Sequence, residues 1–215
     1  VAAALDPAYR DFYVELVTRA GSVVAVDGGV AACRWADRAP DLLVGDLDSA
    51  SSQDVEWAQA HGAALERLPV HKDVTDLQVA LERSADLTGS HRVLTGVFGG
   101  RLDHELATIA ALFDFVHGSW TAQEPTLSAW PLLGPTTLAL QGEGATVSLL
   151  AWSEAVSVSA QGLEYPLDHD LLPRCDPRGV SNVLRSDRAS LTVHSGALLV
   201  VSPRLDFPPA IGYAQ

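Results

Sequence analysis

Short apolar runs alternate with helix-period stretches through the first half of this chain. Val23-Val24-Ala25-Val26, Leu42-Leu43-Val44, Leu65 to Leu68 and Arg92 to Phe98 read as strands, and Val1 to Leu5 predicts one more. Between them, Asp6-Pro7 opens a helix with Phe12, Leu16 and Val17 on one stripe, and Ala31 to Ala39 continues helically to the break at Pro40. Ser52 is positioned to cap a helix carrying Val55 and Trp57, Thr75 one through Leu77, Ala80 and Leu81, and His104 to Val116 forms another. Strands linked by crossover helices predict an α/β fold with a mostly parallel, Rossmann-like sheet and flanking helices.

At Pro131, Gly134 and Pro135 the rhythm changes, which marks a linker. Thr137 to Leu140, Thr146 to Leu150, Val156 to Ala160, Leu191 to Val193 and Ala197 to Val201 are then short strand-like runs between polar turns. The last two, joined by His194-Ser195-Gly196, predict a hairpin. The chain is therefore expected to hold an α/β domain over residues 1–132 and a smaller all-β sandwich over residues 136–215.

Composition narrows the chemistry. The 215 residues suit one medium and one small domain, and 47% hydrophobic with 19% charged residues is a globular balance. With 27 acidic against 14 basic residues, the formal charge of -13 leaves no basic footprint for nucleic acid. A bare polyphosphate would be repelled, so a nucleotide is expected to arrive with its metal, and a cationic second substrate would be favoured. Cys33 and Cys175 have neither metal-ligand nor disulfide-framework spacing and read as reduced structural thiols. No run is long enough for a membrane span and no signal peptide is evident, so the expected location is cytoplasmic. The lack of methionine, position 1 included, is read as loss of the native first residue or residues.

Four acidic turns then stand out: Asp27-Gly28-Gly29, Gly45-Asp46-Leu47-Asp48-Ser49, Lys72-Asp73-Val74-Thr75-Asp76 and Gly99-Gly100-Arg101-Leu102-Asp103-His104. Each follows a predicted strand or opens a predicted helix, which places all four at the carboxyl edge where open α/β sheets bind ligands. Asp46 and Asp48, one residue apart, project to the same side of an extended backbone and are candidates to share a magnesium ion with Asp76. Gly28 and Gly29 let backbone amides approach a phosphate. Arg101 offers a planar fork to phosphate oxygens, while Asp103 is equally suited to cap the helix, hold Arg101 or bind metal. His104 and Lys72 are further phosphate candidates. Each turn alone has a structural reading, since aspartate and glycine are common in turns and caps.

In this order, the four motifs resemble those of thiamine pyrophosphokinases. Pro40-Asp41, Gly144-Ala145-Thr146-Val147-Ser148-Leu149, Gly162-Leu163-Glu164-Tyr165-Pro166-Leu167 and Gly179-Val180-Ser181-Asn182 extend the resemblance to about Val201. It implies transfer of a diphosphoryl group from ATP to thiamine, with Mg2+ held by Asp46, Asp48 and Asp76. Asp27, Gly28, Gly29, Lys72, Asp73, Thr75, Gly100, Arg101, Asp103 and His104 would surround the ATP. Tyr165, Ser181 and Asn182 would meet thiamine, in a homodimer whose clefts draw on both subunits. Ala31 and Thr108 stand where the family usually has asparagine. The rival readings are a diphosphokinase for another small alcohol such as a hydroxymethylpterin, a phosphatase with Asp46 as nucleophile, and a non-catalytic nucleotide sensor.

Overall fold

The computed structural model describes residues 1–84, 91–115, 120–174 and 176–203. Cys175 and the tail beyond residue 203, both considered in the sequence, lie outside them. The chain divides into two compact units, Val1–Ala111 and Leu112–Gln215.

In the first unit, β1 (Val24–Val26), β2 (Leu42–Gly45) and β3 (Ala64–Arg67) form a parallel ladder in that order. Successive residues of a strand face opposite sides, so Ala25 and Leu43 enter one core and Val26 and Val44 another. The first core is closed by α1 (Arg10–Arg19), α2 (Val30–Trp35) and α3 (Ser52–Ala60), which contribute Tyr13, Val17, Cys33 and Ala58. The second is closed by Val79 and Ala80 of α4 (Asp76–Ser84). Apolar runs buried on both faces are what a helix-covered parallel sheet requires.

The local signals explain the helix starts. Asp6 caps a 3-10 turn ahead of α1 by accepting from the Ala8 N–H at 2.9 Å. Ser51, rather than the expected Ser52, caps α3 through the Asp54 N–H at 3.1 Å. Thr75 and Gln78 form a reciprocal box before α4: the Gln78 N–H donates to Thr75 Oγ1 at 3.2 Å and the Thr75 N–H to Gln78 Oε1 at 2.9 Å.

Two expectations for the sheet need correction. Val1 to Leu5 is not a strand, although Val26 donates to Val1 O at 2.8 Å, and Ala2 and Ala4 donate to Thr95 O and Gly96 O, each at 2.8 Å. These residues lie extended between β1 and the segment after β4 (Arg92–Leu94), with too few consecutive bonds for a ladder. Nor does β4 belong to the β1–β2–β3 group. Among the described residues the parallel ladder shown is that of β1, β2 and β3, and the chain as a whole is a mixed α/β protein with a β-rich second unit. Helix α5 (Leu102–Asp114) follows β4.

The second unit is antiparallel. One sheet runs β10 (Leu167–Pro173), β9 (Ala155–Gln161), β12 (Arg188–Ser195), β7 (Thr136–Gln141). In the other, β11 (Asn182–Val183), β8 (Thr146–Ala151), β13 (Ala197–Pro203), β6 (Leu127–Leu133) and β5 (Trp120–Gln123) are successive neighbours. Alternate residues from both sheets, among them Leu138, Leu149, Val158, Leu191, Val193, Leu198 and Val200, share one core. Pro131, expected in a linker, sits inside β6 opposite Leu199. The expected hairpin is also absent: β12 and β13 belong to different sheets, and the turn at Gly196 carries the chain across the sandwich. Both strands point apolar residues inward from opposite layers, a pattern that a hairpin would share.

Candidate active site

The turn after β1 and the loop after β2 interlock. Asp27 has φ +46°, and its Oδ1 accepts from the Leu47 N–H at 3.0 Å. Gly45 has φ +146°, and a β-carbon there would stand 1.8 Å from the same Asp27 oxygen. The Gly28 N–H donates to Ser49 Oγ at 3.1 Å, which fastens the two segments a second time. Two of the four acidic motifs are therefore one structure at the carboxyl edge of neighbouring parallel strands.

Charge gathers there. Burial pushes the Asp27 carboxyl up to about 6, and the negative charges of Asp76, Asp46 and Asp48 push in the same direction, partly offset by the Leu47 N–H. The charges of three further carboxylates, from the second and third motifs, are thus felt at Asp27. Asp46 and Asp48 lie on a bend rather than on the extended backbone expected: Leu47 has φ +67° and is buried, and Asp46 Oδ1 accepts from the Asp48 N–H at 3.1 Å. A hydrophobic side chain tucked inward turns both acids outward. Asp76 begins α4, where its buried Oδ1 accepts no directed hydrogen bond and faces Lys72 Nζ as a charge at 3.0 Å. Lys72 also donates to Pro69 O at 3.0 Å. Asp73 is exposed, and Thr75 is engaged with Gln78.

Among the described residues, no three acidic, histidine or cysteine side chains converge on one point as placed. The donor chemistry nonetheless fits a hard divalent cation. Carboxylate oxygens repelling one another around Asp27, and a buried Asp76 oxygen met by charge alone, are what magnesium with its waters would compensate.

The fourth motif is arranged differently from the expectation. Gly99 and Gly100 N–H groups both donate to Glu105 Oε1, at 2.9 and 3.1 Å. Glu105, which the sequence reading passed over, thus holds an anion against two amides at the start of α5. The signal was there: an acid in the first turn of a helix preceded by paired glycines. Arg101 Nε and Nη2 donate to Asp103 Oδ1 and Oδ2 at 3.1 and 2.6 Å, and this fork draws the Asp103 carboxyl below the ordinary range. Arg101, Asp103 and His104 are exposed. Residues 3 and 4 connect the motifs, since Ala3 Cβ is 3.3 Å from a β-carbon built on Gly28, and Ala4 Cβ is 3.8 Å from one on Gly100.

In the second unit, Ser181 and Tyr165 are exposed, whereas Asn182 is buried. Asn182 Oδ1 accepts from the Tyr165 and Val183 N–H groups at 3.1 and 2.9 Å, and its Nδ2 donates to Tyr165 O at 2.8 Å. Its amide braces the loop. Ser181, at φ +59°, donates its N–H to Ser148 Oγ at 3.1 Å.

Comparison with known proteins agrees with this division of motifs. The family model of the thiamin pyrophosphokinase catalytic domain matches residues 13–122, and that of the thiamin pyrophosphokinase vitamin B1 binding domain matches residues 135–198. The chain belongs to the thiamin pyrophosphokinase family. It is 24% identical over 183 residues to thiamine pyrophosphokinase of Bacillus subtilis, covering 83% of this chain and 85% of the relative. The crystal structure of thiamine pyrophosphokinase from Bacillus subtilis shares the fold with a TM-score of 0.79, at 21% identity over 90% of this chain and 92% of that one. That of thiamin pyrophosphokinase from Geobacillus thermodenitrificans gives 0.73 at 25% identity, covering 85% and 86%. No helix among the described residues is long and apolar enough to cross a membrane.

Proposed function

We propose that this member of the thiamin pyrophosphokinase family transfers a diphosphoryl group from ATP to the hydroxyl of thiamine, giving thiamine diphosphate and AMP. The observation that carries the reading is that the charges of Asp46, Asp48 and Asp76 all act on the half-buried Asp27, within the segment that the catalytic-domain model matches. Asp46, Asp48 and Asp76 would hold Mg2+, which when bound neutralises the phosphate oxygens and makes the phosphorus a better electrophile. Residues 1–132 would supply this nucleotide and magnesium site, and residues 136–215 the thiamine contacts and those of a cytoplasmic homodimer.

The chain's own groups do the positioning. Lys72 sits beside Asp76 and would meet phosphate oxygens once metal takes over that carboxylate. Arg101 is exposed and its fork is engaged by Asp103, from which phosphate oxygens would have to draw it. A phosphate reaching the Gly99 and Gly100 amides must displace Glu105, so those donors are aligned before ATP arrives. The thiamine hydroxyl oxygen then forms a bond to the β-phosphorus as its proton is released to solvent. The bond to the oxygen bridging the α and β phosphorus atoms breaks, and AMP leaves with the electron pair. In-line transfer of this kind depends on alignment and charge stabilisation. Tyr165 and Ser181 offer exposed groups to thiamine, and Asn182 positions them from behind.

Incubation with ATP, Mg2+ and thiamine, followed by product identification, tests the proposal. AMP with thiamine diphosphate is expected. ADP, free phosphate or no turnover would overturn it, and transfer to a hydroxymethylpterin in preference to thiamine would move it to the rival alcohol.

A further inference from the structure

Glu105 stands one position beyond the fourth acidic motif, in the first turn of α5, and it holds the chain ahead of the helix rather than the helix itself. Its Oε1 accepts from the Gly99 N–H at 2.9 Å and from the Gly100 N–H at 3.1 Å. The donors that a helix start leaves unmet are those of its own first residues. In α5 these begin at Leu102, so the two glycine amides are not among them. Both glycines are exposed, and a β-carbon on Gly99 would meet nothing within 4 Å, so water could serve either N–H. Burial therefore does not require the carboxylate.

The two amides form a nest: successive N–H groups turned toward one point, which Gly99 allows at φ +96°, just ahead of the N-terminus of α5. Such a concavity takes an anionic oxygen, and Glu105 supplies one from within the chain. The other phosphate candidates are closed in the same way, Arg101 by Asp103 and Lys72 by Asp76. Glu105 differs from those acids in that its partners are neutral amides, so a phosphate oxygen can replace it bond for bond.

We propose that Glu105 is an internal competitor for polyphosphate, a residue that occupies the Gly99–Gly100 nest at rest and leaves it when Mg2+-bound ATP enters. The role presupposes that ATP phosphates reach these amides, as in the function proposed above, and adds the residue that sets how tightly they are held. Only molecules with an open nest bind ATP at full strength, so the apparent affinity is reduced by the fraction that is open. The same carboxylate closes the nest again once the phosphates have left.

Calorimetric titration of the full chain with Mg2+-bound ATP, without thiamine, reads the competition. Glu105→Ala cannot reach the amides and should bind about 3–10-fold tighter than the parent, the weight of an exchanged hydrogen bond. Glu105→Asp keeps the charge but is one methylene too short for the nest, and it should show the same gain. That variant separates occupancy of the amides from general repulsion between an acid and a nucleotide, and it is the milder change at the start of α5. In amide NMR spectra without ligand, the Gly99 and Gly100 resonances of Glu105→Asp should differ from those of the parent, and saturating Mg2+-bound ATP should bring both proteins to the same positions. Weaker binding in both variants, as loss of a merely structural cap would give, would overturn the proposal. So would tighter binding in Glu105→Ala with parent-like binding in Glu105→Asp. A parent that binds with no gain in either variant would overturn the role of Glu105 alone, whereas a parent that binds no Mg2+-bound ATP would overturn the nucleotide reading as well.

Discussion

Asp27 occupies the space that a side chain at Gly45 would need: a β-carbon there would stand 1.8 Å from Asp27 Oδ1. The glycine of the second acidic motif thus accommodates the aspartate of the first, which ties β1 to the acidic loop after β2. Gly45→Ala meets both this overlap and a φ of +146°. The backbone alone should cost about 1–3 kcal/mol. Displacing Asp27 should also break its bond to the Leu47 N–H. A lowered midpoint in denaturant and loss of turnover are expected, and parent-like values for both would contradict the interlock.

Asp27 also gives the protein a pH dependence of defined sign. Its carboxyl ionises near the ordinary 3.8 in the unfolded chain and at about 6 in the folded one. Between those values the folded state binds more protons, so stability falls as pH rises through the window and the penalty is complete above it. Asp27→Asn keeps an oxygen for the Leu47 N–H and removes the charge. Without Mg2+, the variant should melt higher than the parent at pH 8, with the gap closing near pH 4, while turnover drops. Thermal melts across that range decide it, and a gap that widens toward acid would refute the assignment.

What the sequence made legible was local. Asp46-Leu47-Asp48 is a carboxylate pair by spacing, Thr75 is a cap by residue type, and the apolar runs at Val24–Val26 and Leu42–Gly45 mark buried strands because both their faces are covered. What escaped depends on partners distant along the chain. Nothing near Asn182 indicates that its amide serves Tyr165, seventeen residues away. Inward-pointing residues of β12 and β13 look alike whether the strands pair or face each other across a core. Glu105 escaped for another reason: an acid in a first turn after paired glycines marks the place, but its role rests on two backbone amides that only the fold brings to it.

The acids around Asp27 should respond to metal before any chemistry occurs. Mg2+ should raise the melting temperature of the parent chain at pH 8 by relieving their repulsion. Asp46→Asn and Asp48→Asn should each reduce that rise and lower kcat on the order of 100-fold, as expected when one preorganised electrostatic group is lost. The metal-free fold should persist, because removing one of several like charges costs it little. An undiminished magnesium shift in both variants would remove these residues from the metal site.

Asn182 separates bracing from contact. Its buried amide makes three hydrogen bonds to backbone, and Asn182→Ala leaves those groups unmet at about 1–3 kcal/mol. Tyr165→Ala removes an exposed ring and should cost little stability. If Asn182 acts by holding Tyr165 and Ser181 toward thiamine, both variants should raise the KM for thiamine and leave that for ATP near the parent value, yet only Asn182→Ala should lower the melting temperature. Combining them should raise the thiamine KM by less than the product of the single effects, since the brace has nothing further to position once the ring is gone. Full multiplicativity would show that Asn182 and Tyr165 act on thiamine independently and would end the bracing account.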